Sequence, residues 1–408
     1  MTAAVLSIGT EITRGEITNT NASFLAEELT KLGVDVTEML SIPDDPEAIV
    51  RELRRLGAVH SLIVSTGGLG PTTDDITSES VAKLLGVPLV RDEPSLQAIV
   101  ERMSRFGRTV APSNAKQADF PTGATILPNP NGTAPGFSVT IGRAAAFFMP
   151  GVPAEMKPMF GNHVAPRTTG AAAPGIHQIR LRTFGVAEST VNDKLAGVEA
   201  AHDVVIGYRA HFPEIEVKVL ARRGTPAEAE RVARVAADEV KSRLGNIVYG
   251  EGEKQLAAVV GARLRERGLT IGTAESCTGG LVAELLTDEP GASAWFRGSV
   301  VAYRNEVKAG VLGVPEALIA EHGAVSEAVA RSLAEGARRV LGTDVGVAVV
   351  GVAGPGGGTE EKPVGLVHYA VSTASGTTAE RLNYPANRRF VRVRAAWAAL
   401  GLVLRVIG

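Results

Sequence analysis

The sequence predicts an α/β fold class, with a doubly wound, mostly parallel sheet first, a small α+β layer next and a second α/β segment last. Three observations support this prediction. Short apolar runs typical of buried strands alternate with stretches of helical spacing. Between residues 176 and 249 the order becomes βαββα, which is typical of a small α+β layer. At 408 residues the chain is too long for one ordinary core, so we expect two or three domains.

The composition describes a globular protein without a strong net charge. Hydrophobic residues make up 45% and charged residues 21% of the chain, which is enough apolar material for a sizeable core. Because 42 basic residues stand against 44 acidic ones, the charge indicates no clear nucleic-acid surface. A single cysteine excludes an internal disulfide framework and a cysteine-rich zinc site. No basic leader opens the sequence and no apolar run has membrane-spanning length, so we expect a cytoplasmic protein without membrane contact.

The first segment alternates strands and helices most clearly. Its predicted elements are a strand at 3–8, a helix opened by Asn21 and closed by Gly33, a strand at 34–41, a helix at 45–56, a strand at 61–65 and a helix at 76–85. In such sheets ligands bind beyond the carboxyl ends of the strands, where residues 9–11 and 67–75 lie. Residues 113–156 are rich in Pro, Gly and Asn, and we expect an irregular wall or lid there.

The glycine-rich loop at residues 67–75 contains groups that could bind an anion and groups that could bind a cation. Its glycines let backbone N–H groups approach a phosphate or diphosphate. Asp74 and Asp75 could hold a hard divalent cation, with phosphate oxygens completing its shell. Equally well, both aspartates could be charges that favour the dipole of the following helix. Further along the chain, Lys116 and Glu155 are candidate functional groups, although either could be an ordinary surface residue.

A linker composition at residues 168–175 separates the first segment from the small layer. The predicted elements of that layer are a strand at 176–184, a helix at 188–195, strands near 204–208 and 215–220, and a helix at 226–244, and residues 250–253 end it. It contains no Gly-x-x-Gly loop of the type that clamps nucleic acid, so we do not interpret it as an RNA binder.

The last segment is organised around the heptapeptide AESCTGG at residues 274–280. It follows a predicted buried strand at 269–273 and precedes residues 281–286, which have helical spacing. Ser276 and Cys277 thus lie where a strand turns into a helix, whose first N–H groups are unpaired and partly positive. Such a place suits a nucleophile or a bound anion. The alternative is that Ser276 merely caps the helix while the glycines allow a tight turn.

The remaining elements complete a second α/β segment. They are a strand at 299–303, Asn305 as a helix cap with Lys308 in the first turn, a helix at 326–341, a strand at 345–350, a loop at 351–358, strands at 366–373 and 379–384, and a closing helix from about residue 387.

Motifs along nearly the whole chain resemble the CinA (competence/damage-inducible protein A) family. In the first half they are IGTE at 8–11 with NTN at 19–21, TGGLGPTTDD at 66–75, NAKQA at 114–118, GTAPG at 132–136 and PGVPAEM at 150–156. In the second half they are AESCTGG at 274–280, VVAYRNEVK at 300–308 and GVAGPGG at 351–357. Because they follow the order of the family, the chain is identified as a member.

The resemblance implies three domains and two activities. The domains are a MogA-like molybdopterin-binding fold at 1–168, a small KH-type α+β domain at 176–249 and a nicotinamide-nucleotide amidohydrolase domain at 253–408. Family members deamidate nicotinamide mononucleotide to nicotinic acid mononucleotide and ammonia, and some also hydrolyse ADP-ribose at the first domain with a divalent metal. We expect these small nucleotides as partners, and a homodimer.

For the amidohydrolase, the family pattern implies Ser276 as nucleophile, with Tyr303 and Lys308 supplying the base, and no cofactor. A lysine is a base near neutral pH only if burial or nearby positive charge lowers its pKa. None of the seven histidines lies in these motifs, which favours a Ser-Tyr-Lys arrangement over Ser-His-Asp. The residues expected to bind substrate are Thr278, Gly279, Gly280, Asn305, Gly354, Gly356, Arg388 and Arg389. Without the family match, the two arginines would be interpreted as a solvated surface pair.

For the first domain, the expected site residues are Glu11, Asn21, Gly67, Gly68, Gly70, Asn114, Lys116 and Glu155, with Asp74 and Asp75 as ligands of Mg, Mn, Co or Ni. A competing hypothesis is a regulatory protein, linked to competence or DNA damage, whose first domain binds a pterin or nucleotide without hydrolysing it. Two residues depart from the family pattern in the second half. Val350 stands where a threonine is common, and Arg304 stands where many relatives carry a small residue.

Overall fold

The computed structural model describes residues 1–105, 107, 111–168 and 175–408. It confirms the α/β fold class. The described residues form two compact units, the first with Met1–Ile176 and Arg222–Ala229, the second with His177–Ala221 and Glu230–Gly408. Residues 169–174 of the predicted linker lie outside the described part. Among the helices within it, none combines the length and the apolar character needed to span a membrane.

The first unit contains eight described strands and seven described α-helices. The strands are β1 (Thr2–Ile8), β2 (Asp35–Ile42), β3 (Leu62–Thr66), β4 (Leu89–Arg91), β5 (Asp119–Pro121), β6 (Thr125–Leu127), β7 (Gly136–Ile141) and β8 (Ala144–Met149). The helices are α1 (Thr10–Thr13), α2 (Thr20–Lys31), α3 (Pro46–Val59), α4 (Thr77–Leu85), α5 (Glu93–Arg105), α6 (Pro153–Met159) and α7 (Ala165–Thr168), with a 3₁₀ helix at Pro112–Ala118 and a π-helical turn at Phe160–Val164.

The six-stranded sheet of this unit has the order β2-β1-β3-β8-β7-β6. The first four strands are parallel, whereas β7 and β6 run antiparallel. Alternate residues of each central strand pack on opposite faces, with Leu6 and Ile63 under α3 and Val5 and Val64 under α2. The prediction of irregular structure at 113–156 is wrong, because four strands lie there and β8 is central to the sheet.

The rest of the chain contributes nine strands and nine α-helices to the described structure. The strands are β9 (Gly175–Phe184), β10 (Val205–His211), β11 (Glu214–Arg223), β12 (Val248–Glu251), β13 (Ile271–Glu275), β14 (Phe296–Val301), β15 (Val345–Gly351), β16 (Leu366–Thr373) and β17 (Gly376–Asn383). The helices are α8 (Glu188–Lys194), α9 (Val198–His202), α10 (Pro226–Leu244), α11 (Leu256–Glu266), α12 (Leu281–Thr287), α13 (Asn305–Gly310), α14 (Glu316–His322), α15 (Glu327–Val340) and α16 (Arg388–Ile407). Short 3₁₀ turns lie at Gly245–Ile247 and Ala292–Ala294.

The middle sheet, as we call the four strands β9 to β12, has the order β10-β11-β9-β12. Residues 250 and 251 do not end this segment as predicted, since they lie in β12 and pair with β9. A buried ion pair between Arg182 and Glu214 (2.6 Å) joins β9 to β11. Glu214 also accepts a hydrogen bond from the Tyr249 hydroxyl of β12, so one carboxylate ties three strands together.

The last sheet has the order β14-β13-β15-β16-β17. Strands β14, β13 and β15 are parallel, and β16 and β17 complete the sheet in antiparallel fashion. Helix α15 covers one face and helices α11, α12 and α16 cover the other. Because three parallel strands end at the same edge, the segments that follow them meet there.

Candidate active sites

A cavity of about 570 Å³ lies at the carboxyl-terminal edge of the first sheet. Its walls come from the segments after β1, β2, β3 and β8 and from the start of α2. Most of the predicted residues line it: Glu11, Asn21, Gly67, Gly68, Gly70, Asp74, Asp75 and Glu155. Lys116 lies instead in a small adjoining pocket with Gly68 and Asp75. The side-chain oxygen of Asn114 accepts a hydrogen bond from the Ala111 N–H (3.0 Å), so this side chain bonds to the backbone of its own segment.

The turn after β3 requires glycine on steric grounds. Gly67 and Gly68 have φ angles of 101° and 66°, in the left-handed region. A Cβ at residue 67 would lie 2.0 Å from the Ile8 carbonyl oxygen, and one at residue 68 would lie 2.2 Å from Thr77 Oγ1. The Gly67 N–H already donates to the Met149 carbonyl (3.0 Å). Backbone donors for an anion must therefore come from later in the loop.

Thr72 organises the two aspartates of this loop. Its hydroxyl donates to Asp74 and to Asp75 Oδ2 (2.5 Å), and its N–H donates to Asp75 Oδ2 (2.9 Å). Hydrogen bonding by the Thr72 hydroxyl lowers the pKa of Asp74, with a smaller contribution from the positive charge of Lys116. Helix α4 starts only at Thr77, and both carboxylates bond within the loop. They do not cap that helix.

Other polar groups of the cavity are held by precise contacts. Glu155 Oε2 accepts from Asn129 Nδ2 (2.7 Å), and Asn21 Nδ2 donates to the Gly151 carbonyl (2.6 Å). Asp44 and Gln117 are among the lining residues that were not predicted as site residues. Asp44 accepts from the Thr10 N–H (2.8 Å) and lies two residues after the end of β2, a position that could have indicated it. Gln117 lies within the NAKQA motif.

A second candidate site lies where β13, β14 and β15 end. The Ser276 N–H donates to the Val349 carbonyl of β15 (2.9 Å), and the Ala302 N–H donates to the Glu275 carbonyl (2.8 Å). These bonds hold the segments after β13 and β14 beside the loop that follows β15. The predicted residues Ser276, Tyr303 and Gly354 are thus brought to one edge of the sheet.

Glu275 sets the geometry of the turn that carries Ser276. Its side chain is only 1% exposed and accepts the N–H groups of Gly280 (3.0 Å), Val282 (3.0 Å) and Ala283 (2.9 Å). Helix α12 begins at Leu281, five residues after Ser276, and its cap residue is Gly280. The prediction that Ser276 caps the helix is therefore wrong. The expectation of free first-turn N–H groups is also wrong, because Glu275 occupies them.

Lys308 is buried, with 2% of its surface exposed, in the short helix α13. Its ammonium donates to the Tyr303 carbonyl oxygen (3.1 Å). Burial lowers the pKa of Lys308 below its ordinary value, against the smaller opposing effects of Cys277 and Glu306. Since Tyr303 follows Ala302, whose N–H bonds to the carbonyl of Glu275 (2.8 Å), the ammonium lies on the segment that adjoins the turn carrying Ser276. Lysine burial of this kind favours the free amine.

Two arginines of α16 hold the loops of this site together. Arg388 donates to the Gly354 carbonyl (2.8 Å) and to the Tyr303 hydroxyl (3.0 Å). Arg392 donates twice to the Thr278 carbonyl, at 2.7 and 3.2 Å. Arg389, the other arginine of the predicted pair, is exposed. Arg392 was missed by the sequence analysis, because only the fold brings it to Thr278.

The other predicted residues of this site differ in accessibility. Gly279 and Gly356 are exposed and Gly280 is half-buried. Thr278 is fully buried, and its hydroxyl has no hydrogen-bond partner among the described residues. Asn305 is exposed as the first residue of α13, whose cap is Arg304. The prediction that Asn305 caps this helix is wrong.

Comparison with known proteins assigns the chain to a family. A CinA-like protein from Anaeromyxobacter sp. (strain Fw109-5) is 46% identical over 402 residues, which cover 98% of this chain and 97% of the relative. The chain belongs to the CinA family. A CinA-like protein from Citrifermentans bemidjiense is 42% identical over 408 residues, covering 100% of this chain and 98% of the relative.

Three family models match consecutive parts of the chain, and solved structures of similar proteins each cover part of it. The models are "Probable molybdopterin binding domain" at residues 4–170, "Damage-inducible protein CinA KH domain" at 178–250 and "CinA C-terminal domain" at 253–407. A competence/damage inducible protein from Agrobacterium tumefaciens is 38% identical in structure-based alignment, covering 37% of this chain and 93% of that one, with a TM-score of 0.37. CinA from Thermoplasma acidophilum is 36% identical over 41% of this chain and 98% of that one, with a TM-score of 0.38.

The two departures from the CinA pattern lie outside the contacts described above. Val350 is fully buried in the apolar layer between the last sheet and α15, where Ala274 of the sheet and Leu333 of the helix also lie. Arg304 projects into solvent, with its guanidinium 3.4 Å from the Glu306 carboxylate. Neither side chain belongs to the hydrogen bonds that join the loops through Arg388 and Arg392.

Proposed function

We propose that the carboxyl-terminal segment hydrolyses nicotinamide mononucleotide to nicotinic acid mononucleotide and ammonia. The observation that supports this most is the buried Lys308, whose pKa is lowered by burial beside the turn that carries Ser276. Amide hydrolysis needs a nucleophile and a base, and we assign these roles to Ser276 and to Lys308, whose lowered pKa favours the free amine.

In the proposed reaction Ser276 Oγ attacks the carboxamide carbon while its proton passes to Lys308 Nζ. The tetrahedral intermediate then expels the amide nitrogen, which takes the proton from Lys308 and leaves as ammonia. Water hydrolyses the resulting ester with Lys308 again acting as base. Because Glu275 occupies the first-turn donors of α12, we assign the oxyanion to N–H groups of the turn residues that directly follow Ser276.

Tyr303 and Arg388 have supporting roles in this proposal. The Tyr303 hydroxyl accepts from Arg388, whereas Lys308 donates to the Tyr303 carbonyl, so the phenol and the ammonium have different partners. We assign the substrate phosphate to Arg388, which uses two of its N–H groups on the loops and keeps others for an anion. Arg389, which is exposed at the same helix start, is the second candidate.

The experiment is a measurement of ammonia released from nicotinamide mononucleotide by the purified full-length chain. Ser276→Ala is the control, since it removes the nucleophile without disturbing the bonds of the Ser276 backbone. We expect release by the wild type and none by the variant. Folded wild-type protein that releases no ammonia would exclude the deamidase.

We propose further that the first domain hydrolyses ADP-ribose to AMP and ribose 5-phosphate with a divalent metal. The supporting observation is that five carboxylates line the 570 Å³ cavity: Glu11, Asp44, Asp74, Asp75 and Glu155. A diphosphate would be repelled by these charges unless cations bound with it.

The residues present fit such a metal only together with substrate. Within the described residues, no group of three or more His, Cys, Asp or Glu side chains is arranged to hold a metal ion. Asp74 and Asp75 would therefore supply two ligands, and phosphate oxygens the others. When bound, the metal would neutralise charge on the diphosphate. The residues 68–70 would cradle the phosphates with backbone N–H groups.

AMP formation from ADP-ribose, measured with magnesium, manganese, cobalt and nickel in turn, tests this second activity. Wild-type protein that stays inactive with all four metals would exclude it. The competing hypothesis, a domain that binds a pterin or nucleotide without hydrolysis, would then be tested by calorimetric titration with ADP-ribose and a pterin.

A further inference from the structure

Helix α16 has two opposite functional faces near its amino terminus. At about 100° per residue, Arg388 and Arg392 lie about 40° apart around the helix axis. Phe390, Arg394 and Trp397 lie about 180° to 240° from Arg388, on the other side. The two sets of side chains therefore contact different parts of the molecule.

The first face reaches all three loops of the proposed deamidase site. Arg388 binds the loop after β15 through the Gly354 carbonyl and the segment after β14 through the Tyr303 hydroxyl. Arg392 binds the turn after β13 through the Thr278 carbonyl. A shift of this helix would move the loops relative to one another.

The second face contacts the middle sheet. The Phe212 ring, in the turn between β10 and β11, lies edge-on to the Phe390 ring, with 4.6 Å between the centroids. Arg394 donates to the Pro213 carbonyl of the same turn (3.4 Å) and lies over the Phe184 ring at 4.8 Å. Phe184 in turn packs on Trp397, with 5.6 Å between ring centroids.

The turn that carries Phe212 is anchored to the middle sheet through Glu214. Glu214, the first residue of β11, is 4% exposed and pairs with Arg182 at 2.6 Å. It also accepts from the Tyr249 hydroxyl, which is itself on a strand of the middle sheet. The middle sheet thus presents Phe212 and Pro213 to α16 from an anchored position.

We propose that Phe212 is a positioning residue for the deamidase site, acting through α16. The middle sheet fixes the start of α16 through Phe212 and Pro213, and the helix fixes the three loops through Arg388 and Arg392. The kinetic consequence rests on the proposed deamidase function, whereas the mechanical link between Phe212 and the loops does not.

The kinetic test compares Phe212→Ala with Tyr208→Ala in the full-length chain. Tyr208 is an aromatic residue of β10, four positions before Phe212 in the same hairpin, and serves as the matched control. With Phe212→Ala we expect KM for nicotinamide mononucleotide to rise about two- to twelvefold, the range that corresponds to one aromatic pair. We expect kcat to change less than KM, because Arg388 binds the phosphate in ground state and transition state alike. Phe212→Tyr, which keeps the ring, should restore the wild-type KM.

Hydrogen exchange of the substrate-free protein tests the link independently of activity. Phe212→Ala should speed the exchange of amides in residues 352–358 and 277–281, while Tyr208→Ala should leave it unchanged. If the wild type releases no ammonia, the deamidase proposal fails and the exchange result still decides the link. Unchanged loop exchange in Phe212→Ala, or equal acceleration in Tyr208→Ala, would overturn the inference.

Discussion

Replacing Lys308 by methionine tests the proposed chemistry most directly. The lysine is 2% exposed and donates to the Tyr303 carbonyl, and burial lowers its pKa below the ordinary 10.5. A positioned general base contributes about 10²- to 10⁴-fold to a rate. Methionine has a similar shape but no proton to exchange. We expect Lys308→Met to lower kcat for ammonia release by about 10²- to 10⁴-fold.

The pH dependence of kcat/KM separates a base from a structural lysine. Only the free amine accepts the serine proton, so wild-type kcat/KM should rise with pH until Lys308 is deprotonated. Because burial lowers this pKa, the rise should end below the pH at which an ordinary lysine titrates. Lys308→Arg keeps the positive charge but does not release a proton, so it should lose the rise as Lys308→Met does. Either variant with the wild-type pH profile would refute the assignment.

Lys308→Met should also change how the free energy of unfolding depends on pH. With the pKa lowered on folding, the unfolded chain binds more protons than the native one between the native pKa and 10.5. The free energy of unfolding of the wild type should therefore rise there, by up to about 1.4 kcal/mol per pH unit. Lys308→Met should lack this rise and be the more stable protein at neutral pH. Urea unfolding at several pH values measures both, and parallel pH curves would contradict the argument.

Three further predictions concern neighbouring carboxylates and the thiol. Burial raises the pKa of Cys277 to about 12, so Cys277→Ala should keep most ammonia release while Ser276→Ala abolishes it, and the reverse pattern would reassign the nucleophile. Glu275→Gln should lower the free energy of unfolding in urea by about 2 kcal/mol, since three N–H groups lose a charged acceptor, and an unchanged midpoint would contradict this. Asp74→Asn combined with Asp75→Asn should abolish AMP formation from ADP-ribose and leave ammonia release intact, whereas retained AMP formation would show that they are not metal ligands.

The sequence predicted most strands because strands buried on both faces form continuous apolar runs. β3 is an example, with all of its residues buried from Leu62 to Thr66. β8 was missed because it begins Ala144-Ala145-Ala146, and alanine is depleted in strands. Its position comes from pairing with β3 and β7, which a local pattern does not show. Tertiary contacts overrode local propensity there.

The sequence predicted which loops form the candidate sites, but it did not predict most of the individual hydrogen bonds within them. Parallel strands that end at one edge brought Ser276, Tyr303 and Gly354 together as expected. The bonds of Arg388 join residues 34 and 85 positions apart, and such pairings have no local signature. The family resemblance implied both Arg388 and Arg389 as substrate-binding residues, and the hydrogen bonds of Arg388 to Gly354 and Tyr303 distinguish the two.

The sequence predicted the start of helix α12 correctly, but it did not show that Glu275 accepts the first N–H groups of this helix. Helix starts offer N–H groups to anions, and the sequence predicted that the first N–H groups of this helix would be unpaired. The chain instead places a buried carboxylate one residue before Ser276, and this carboxylate accepts three of the N–H groups. Ser276 is thereby freed from capping, which leaves its hydroxyl available for the nucleophilic role that we propose. Glu275 therefore holds the turn between β13 and α12, and the proposed nucleophile Ser276 has no part in capping the helix.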